Sequence, residues 1–282
     1  MKLRIGARLF EGPGPFLMGV VNATPDSFSD GGRYLDANAA VDRALRLADE
    51  GADLVDLGGE STRPGAPPVP SDEEIRRVVP VVERLKARGF PVPLSVDTCK
   101  GAVARAALAA GADLVNDVTG LRDPELGRAV ARAGVPVVLM HMRGTPADMQ
   151  AHAAYRDVAA EVAAELREAL ARAAAAGIAD GATVLDPGIG FAKTAEQSIE
   201  LLARVGELRS LGRPLLVGPS RKSFIGKLTG APVDARLPGT LAAVAHCVLA
   251  GVELLRVHDV AAARQAARVA QAIRDAARPG PR

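Results

Sequence analysis

Residue types that do chemistry gather in this chain where short apolar runs end. Asn22 follows Leu17-Met18-Gly19-Val20-Val21 and opens a stretch to Gly32 rich in turn formers, hydroxyls and carboxylates, the composition of an ordered polar loop at a strand end. The run Gly58-Gly59-Glu60-Ser61-Thr62-Arg63-Pro64-Gly65-Ala66 has the same character after the next apolar segment. Asp56, Asp97 with Thr98, Asn116 with Asp117, His141, Asp186, the run Ser220-Arg221-Lys222-Ser223, and Arg256 with His258 occupy equivalent places further on.

These residues divide into two chemistries. A carboxylate inside an apolar strand is costly unless something pairs with it; Asp97 and Asp186 are of this kind and are equally readable as ligand-facing groups or as structural ion pairs and helix caps. In a dry pocket, such acids accept hydrogen bonds from an amino-pyrimidine edge, and Asn116 offers a donor and an acceptor beside them. Arg63, Arg221, Lys222, Arg256 and His258 form the second group, fixed positive charge suited to a phosphate or pyrophosphate; the plainer alternative is pairing with Asp56, Glu60 and their neighbours. Arg256 and His258, two residues apart, share one strand face. His141 and His246 read as hydrogen-bonded structural histidines, and His152 as a surface residue.

The elements that must position these groups alternate along the whole chain. Eight apolar runs, at residues 16–22, 53–58, 93–98, 114–118, 136–142, 183–187, 214–218 and 253–258, read as strands. Helical segments lie near 36–50, 72–88, 100–110, 124–133, 155–176, 195–209, 238–250 and 260–277, the pattern of βα units around a parallel sheet. Ser71 with Glu74 predicts a capping box, Asp123 before Pro124 a second cap, and Gly51, Gly89, Gly111, Gly134, Gly177 and Gly251 left-handed helix ends. Eight repeats without a composition break point to one α/β domain over residues 1–282, a (β/α)8 TIM barrel rather than an open sheet. Residues 1–14 read as a β-hairpin over the barrel floor, and 278–282 as a frayed tail. In such a barrel the strand C-termini and their loops form the active face.

Composition removes other classes. With 48% hydrophobic residues in 282, a sizeable core is available, while 35 basic against 33 acidic residues leave no field for nucleic acid or membrane surfaces. Aromatic content of 3% without tryptophan offers no stacking platform for bases. No run is long enough to span a bilayer, no signal segment is recognisable, and Cys99 and Cys247 read as reduced packing residues; a cytoplasmic protein is expected.

Taken together, Asn22 to Gly32, Gly58 to Ala66, Ser95 to Thr98, Asn116 to Gly120, Leu185 to Lys193, Ser220 to Gly226 and Arg256 to Asp259 resemble, in order and spacing, dihydropteroate synthase, the pterin-binding barrel family of folate synthesis. The resemblance implies condensation of dihydropterin methyl pyrophosphate with para-aminobenzoate to dihydropteroate and pyrophosphate. It implies that Asp97, Asn116, Asp186 and Lys222 hold the pterin, with Met140, Phe191 and Gly218 lining its slot. Asn22, Arg63, Arg256 and His258 are implied for pyrophosphate, Asn22 also touching Mg2+, and Phe28, Thr62, Pro64, Arg221 and Ser223 for aminobenzoate. A homodimer and inhibition by sulfonamides are further implications. The segment Ala235-Arg236-Leu237-Pro238 departs from the family pattern, which places acids on both sides of the Arg-Leu pair.

An arylamine is already a nucleophile, so the chemistry needs no strong base, and no base–nucleophile pair is evident. Stabilisation of the leaving pyrophosphate by the cations, with Asp97 opposite positive charge on the ring, fits the residue set. The Gly-rich opening loops are expected to close over substrates. A folate/corrinoid methyltransferase would need the pterin residues without the pyrophosphate cations; a non-catalytic pterin-binding paralogue would tolerate loss of Arg63, Lys222 or the Arg256/His258 pair.

Overall fold

In the computed structural model, which describes residues 1–23, 33–63 and 65–277, the eight apolar runs become eight parallel strands. The strands are β3 (Phe16–Asn22), β4 (Leu54–Gly58), β5 (Leu94–Asp97), β6 (Leu114–Asp117), β7 (Val137–Met140), β8 (Thr183–Asp186), β9 (Leu216–Val217) and β10 (Leu254–Val257), after a hairpin of β1 (Lys2–Ile5) and β2 (Arg8–Glu11). Sheet order is β8-β7-β6-β5-β4-β3-β10-β9. The Leu185–Leu215 bridge, with Leu185 N–H on Pro214 O at 2.9 Å, brings the two edges together into the (β/α)8 barrel. The helices are α1 (Arg33–Asp49), α2 (Ser71–Ala87), α3 (Gly101–Ala109), α4 (Pro124–Ala133), α5 (Val158–Ala175), α6 (Ala195–Ala203), α7 (Ser223–Thr229), α8 (Leu237–Leu249) and α9 (Val260–Ala276).

Strand side chains alternate between two environments, as a period of two requires. Met18, Leu54, Leu114, Val138, Val184, Leu216 and Leu254, one from each of seven strands, form an apolar floor inside the barrel. Leu3, Ile5 and Phe10 of the hairpin are buried against that floor, and Phe10 meets Phe16 edge-on with ring centroids 5.0 Å apart. The hairpin therefore closes the bottom of the barrel. The intervening residues, among them Leu17, Val55, Leu57, Val96, Val115, Leu139, Leu185, Val217 and Leu255, pack outward against the helices. Both faces of the strands are buried, which is why they read as continuous apolar runs.

Local punctuation agrees with the sequence in most places. All six predicted helix-end glycines have positive φ, and Asp123 caps α4 by accepting from Glu125 N–H. The Ser71–Glu74 box does not form: α2 starts one residue earlier than the box requires, with Pro70 at the cap and Glu74 N–H on Pro70 O at 3.0 Å, and the Glu74 side chain turns inward to Lys100 Nζ at 2.6 Å. The capping box lies instead at Thr194 and Gln197 on α6. The segment expected as a helix over 195–209 divides into α6 and a 3-10 turn at Val205–Leu211, and α7 is an additional short helix.

Candidate active site

Counting upward by two from the floor residues brings the alternation to Asn22, Asp56, Gly58, Asn116, Met140, Asp186, Gly218, Arg256 and His258, a polar tier at the strand C-termini. Asp97 pairs with Gly58 and Asn116 in the ladder and belongs to the same tier. An apolar floor and a polar top on one strand face thus follow from alternation alone.

Arg256 organises this tier. Its Nε donates to Asp56 Oδ2 and its Nη2 to Asp97 Oδ2, both at 2.7 Å, while Asn116 Nδ2 donates to Asp56 Oδ2 at 3.0 Å. Asp56, Asp97 and Asn116 are all buried. Each aspartate keeps one buried oxygen, Oδ1, without a hydrogen-bond partner, a state that costs free energy until a ligand donor arrives. Burial pushes the Asp97 carboxyl up to about 7; Arg256 pulls against this and Asp56 adds to it. Burial lowers Arg256 itself, but Asp56 and Asp97 outweigh it and leave the guanidinium firmly charged.

On the opposite side of the barrel, Asp186 accepts from Gly188 N–H at 2.7 Å. Burial raises its pKa against that bond and the nearby Lys222. Lys222 is carried down to about 8 by burial, with Asp186 resisting and Arg256 reinforcing the shift. Its Nζ lies 4.1 Å from the centre of the Phe191 ring, a cation–π contact. Met140 and Phe191 share a small apolar cluster with Val118, Met142, Met149 and Ala192.

His258 Nδ1 meets Ser220 Oγ at 2.9 Å. Burial first, and then Arg256 and Arg221, lower its pKa to about 4, so the ring is neutral near pH 7 without a ligand. Arg221 has φ +55°, a left-handed backbone unusual for a side chain of this size. Its guanidinium holds Asp259 at 3.0 and 2.7 Å. Ser223 opens α7 and is exposed.

The loop after β4 is built around Lys100, which donates to Glu60 Oε2 at 2.8 Å, Glu74 Oε2 at 2.6 Å and Val69 O at 2.6 Å. At its outer end Thr62 is half-buried and Arg63 exposed, without an acidic partner among the described residues. Gly65 N–H joins the loop after β7 through Pro146 O at 3.0 Å. Phe28 and Pro64, like most of the Asn22 to Gly32 stretch and the 278–282 tail, lie outside the described residues.

Residues 18–258 match the family described as pterin binding enzyme. The chain belongs to the pterin-binding enzyme family. Dihydropteroate synthase of Escherichia coli K12 is 46% identical over 258 residues, covering 92% of this chain and 91% of that protein. The structure of Xanthomonas albilineans dihydropteroate synthase with 4-aminobenzoic acid superposes with a TM-score of 0.91 at 50% identity, covering 99% of both chains. The same organism's enzyme in complex with 7,8-dihydropteroate gives a TM-score of 0.88 at 47% identity, over 99% of this chain and 100% of that one.

In this pterin-binding barrel the pairing of a strand-end cation with Asp56, the plainer of the two sequence readings, is realised at Arg256. Asp56 was visible as a strand-end acid, but its hold on both Arg256 and Asn116 spans the barrel and has no local signature. His141, from the outward set, is hydrogen-bonded as read: it meets Glu165 Oε2 at 3.0 Å and Lys193 Nζ at 2.9 Å. His246 is bonded to Leu202 O at 2.8 Å, and His152 is exposed beside Asp148. At the departure from the family pattern, α8 begins without a side-chain cap, and Arg236 turns back to Ala231 O and Arg221 O.

Proposed function

We infer that this chain is a dihydropteroate synthase that joins 6-hydroxymethyl-7,8-dihydropterin pyrophosphate to para-aminobenzoate. The observation that carries the reading is the arginine bridge: Arg256 links two buried carboxylates, beside Asn116, at the mouth of a barrel whose opposite wall presents Asp186 and Lys222. The unpartnered Oδ1 atoms of Asp56 and Asp97 are acceptors suited to the N–H-rich edge of a pterin. In this reading Asp97, Asn116, Asp186 and Lys222 bind the ring, and Met140, Phe191 and Gly218 line its slot.

Arg256 serves both ends of the substrate. A guanidinium has five N–H donors, and the bonds to Asp56 and Asp97 leave others for the pyrophosphate, with Arg63, His258 and Asn22 around it. The CH2–O bond breaks with its electron pair going to pyrophosphate; the amine lone pair forms the C–N bond, and the amine proton passes to solvent or to the departing anion. We place leaving-group departure ahead of amine attack, because the site offers cations for the anion and the Asp97 carboxylate for a positive ring, but no base beside a nucleophile. Thr62, Arg221 and Ser223, with Phe28 and Pro64, are assigned to aminobenzoate, where sulfonamides would compete.

Asn22, at the end of β3, would hold a magnesium ion at the pyrophosphate end of the site. Among the described residues no group of three acids, histidines or cysteines can cage a metal, and the Asn22 amide oxygen alone would share the ion with phosphate oxygens and water. When bound, Mg2+ supplies charge neutralisation to the pyrophosphate.

We also propose a homodimer formed through the apolar outer face of α8 and α9, where Leu249, Val269 and Ile273 are exposed. No helix among the described residues is long and apolar enough to cross a membrane; with Cys99 and Cys247 unpaired, a cytoplasmic enzyme is the consistent reading. The test of function is product: purified protein with both substrates and Mg2+ should yield dihydropteroate by chromatography, with sulfonamide reducing the yield competitively against aminobenzoate. No product would reject the assignment.

A further inference from the structure

Behind the pterin slot, Lys193 is buried, 3% exposed. Its ammonium meets Phe191 O at 3.0 Å, Gly188 O at 3.1 Å and His141 Nδ1 at 2.9 Å. An ammonium has three hydrogens and no acceptor. Burial lowers the Lys193 pKa to about 7, with Asp186 and then Glu165 opposing; in the ammonium form all three hydrogens are placed, His141 Nδ1 accepts, and Nε2–H donates to Glu165 at 3.0 Å. Arg143 completes the anchor, donating to Glu165 Oε1 at 2.8 Å and Glu161 Oε2 at 2.8 Å on α5.

The two carbonyls that Lys193 grips belong to one turn, and each end of that turn supports a pterin-facing group. Gly188 N–H donates to Asp186 Oδ1 at 2.7 Å. Gly188 itself has φ +68°, and a Cβ there would stand 2.0 Å from His141 O, so the turn is pressed against β7 and admits no side chain at this point. At the other end, the Phe191 ring lies under Lys222 Nζ at 4.1 Å. Between them Gly190, φ +81°, passes so close to Lys222 that a Cβ would be 3.4 Å from its Cδ.

We propose that Lys193 is a positioning residue for the pterin: by holding Gly188 and Phe191 it sets the turn that orients Asp186 and Lys222, without touching substrate. The proposal rests on the pterin-site reading above. Lys193→Met preserves side-chain length and removes all three donors. The expected result is a KM for dihydropterin pyrophosphate raised about tenfold or more, with kcat and the KM for aminobenzoate within about threefold of wild type. Lys193→Gln, which retains N–H donors for a carbonyl, should recover part of the loss. A change in both KM values together, or in neither, overturns the proposal.

If Lys193→Met does not fold, wild-type protein labelled with 15N-lysine decides. The Lys193 ammonium resonance should shift on adding dihydropterin pyrophosphate and stay in place with aminobenzoate alone; no shift with the pterin overturns the proposal. Wild-type protein that forms no dihydropteroate would instead reject the functional reading, so the two failures are distinguishable.

Discussion

Arg256 Nη2 and Asp97 Oδ2 meet at 2.7 Å although 159 positions separate them in the chain. In the proposed reaction this bond joins the end of the site that receives the departing anion to the end that faces the ring. Asp97 is ionised in part because Arg256 is beside it, working against the burial that lifts its pKa to about 7. Removing either partner leaves the other as a buried charge with less compensation, which is strongly unfavourable.

Asp97 sets the acid limb of the rate profile. A raised carboxyl pKa means that the acid takes up a proton more readily in the folded site than when unfolded. With the carboxylate as the active form, kcat/KM for the pterin substrate should rise with pH through about 7. Stability follows the opposite sign: the Asp97 contribution is fullest below the unfolded value of 3.8 and is lost as pH rises toward about 7. Asp97→Asn should lower turnover by about a hundredfold or more and abolish the acidic limb of the rate profile. Initial rates between pH 5 and 9 in overlapping buffers provide the check; an unchanged limb in the variant assigns it to another group.

Lys222 governs the alkaline side. Its pKa of about 8 places loss of the ammonium within a measurable range, so pterin binding should weaken as pH rises beyond that value. Because the folded pKa lies below 10.5, the charged form is disfavoured by folding near neutrality. Lys222→Met should therefore cost about a hundredfold in kcat/KM with little loss of thermal stability. A large fall in melting temperature with normal turnover would make Lys222 structural.

His258 should change protonation state with ligand. Among the protein's own groups its pKa is lowered to about 4 by burial and by Arg256 and Arg221. Pyrophosphate brings compensating negative charge, which favours imidazolium. Ring nitrogen chemical shifts in labelled protein at pH 6 should report neutral imidazole alone and the protonated form in the pyrophosphate complex. A ring that stays neutral in that complex would remove the electrostatic role.

Arg63 and Phe10 make a contrasting pair. Arg63 is exposed on the open face and Phe10 fully buried under the floor. Arg63→Ala should reduce kcat/KM by about tenfold or more and leave the melting temperature in place. Phe10→Ala should destabilise by about 3 to 5 kcal/mol while folded molecules turn over normally. Thermal melts alongside kinetics distinguish them, and the reverse pattern would invert both assignments.

Most of the barrel was legible because its physics is repetitive. Strands buried on both faces read as apolar runs, and alternation carries the same side of each strand from Leu54 to Asp56 or from Leu254 to Arg256. What could not be read depends on partners distant in sequence. Glu74 has the spacing of a capping residue, yet it is buried and its carboxylate pairs with the half-buried Lys100 ammonium. Arg221 reads as a site cation, but its bidentate hold on Asp259 appears only once β10 is placed. The short α7 follows Arg221 in a left-handed backbone, and its seven residues, including Gly226, are too few to show a helical period. Lys193 lacked a reading, and which cation pairs with Asp56 stayed open, for the same reason: these contacts are made across the barrel and between successive turns.

Pyrophosphate release is the most direct measure of the central claim, followed in initial-rate assays with dihydropterin pyrophosphate and Mg2+, with and without para-aminobenzoate. The predicted result is one pyrophosphate released per dihydropteroate formed, dependent on the amine and lost in Asp97→Asn. Release at the same rate without the amine, or none with every component present, would contradict it.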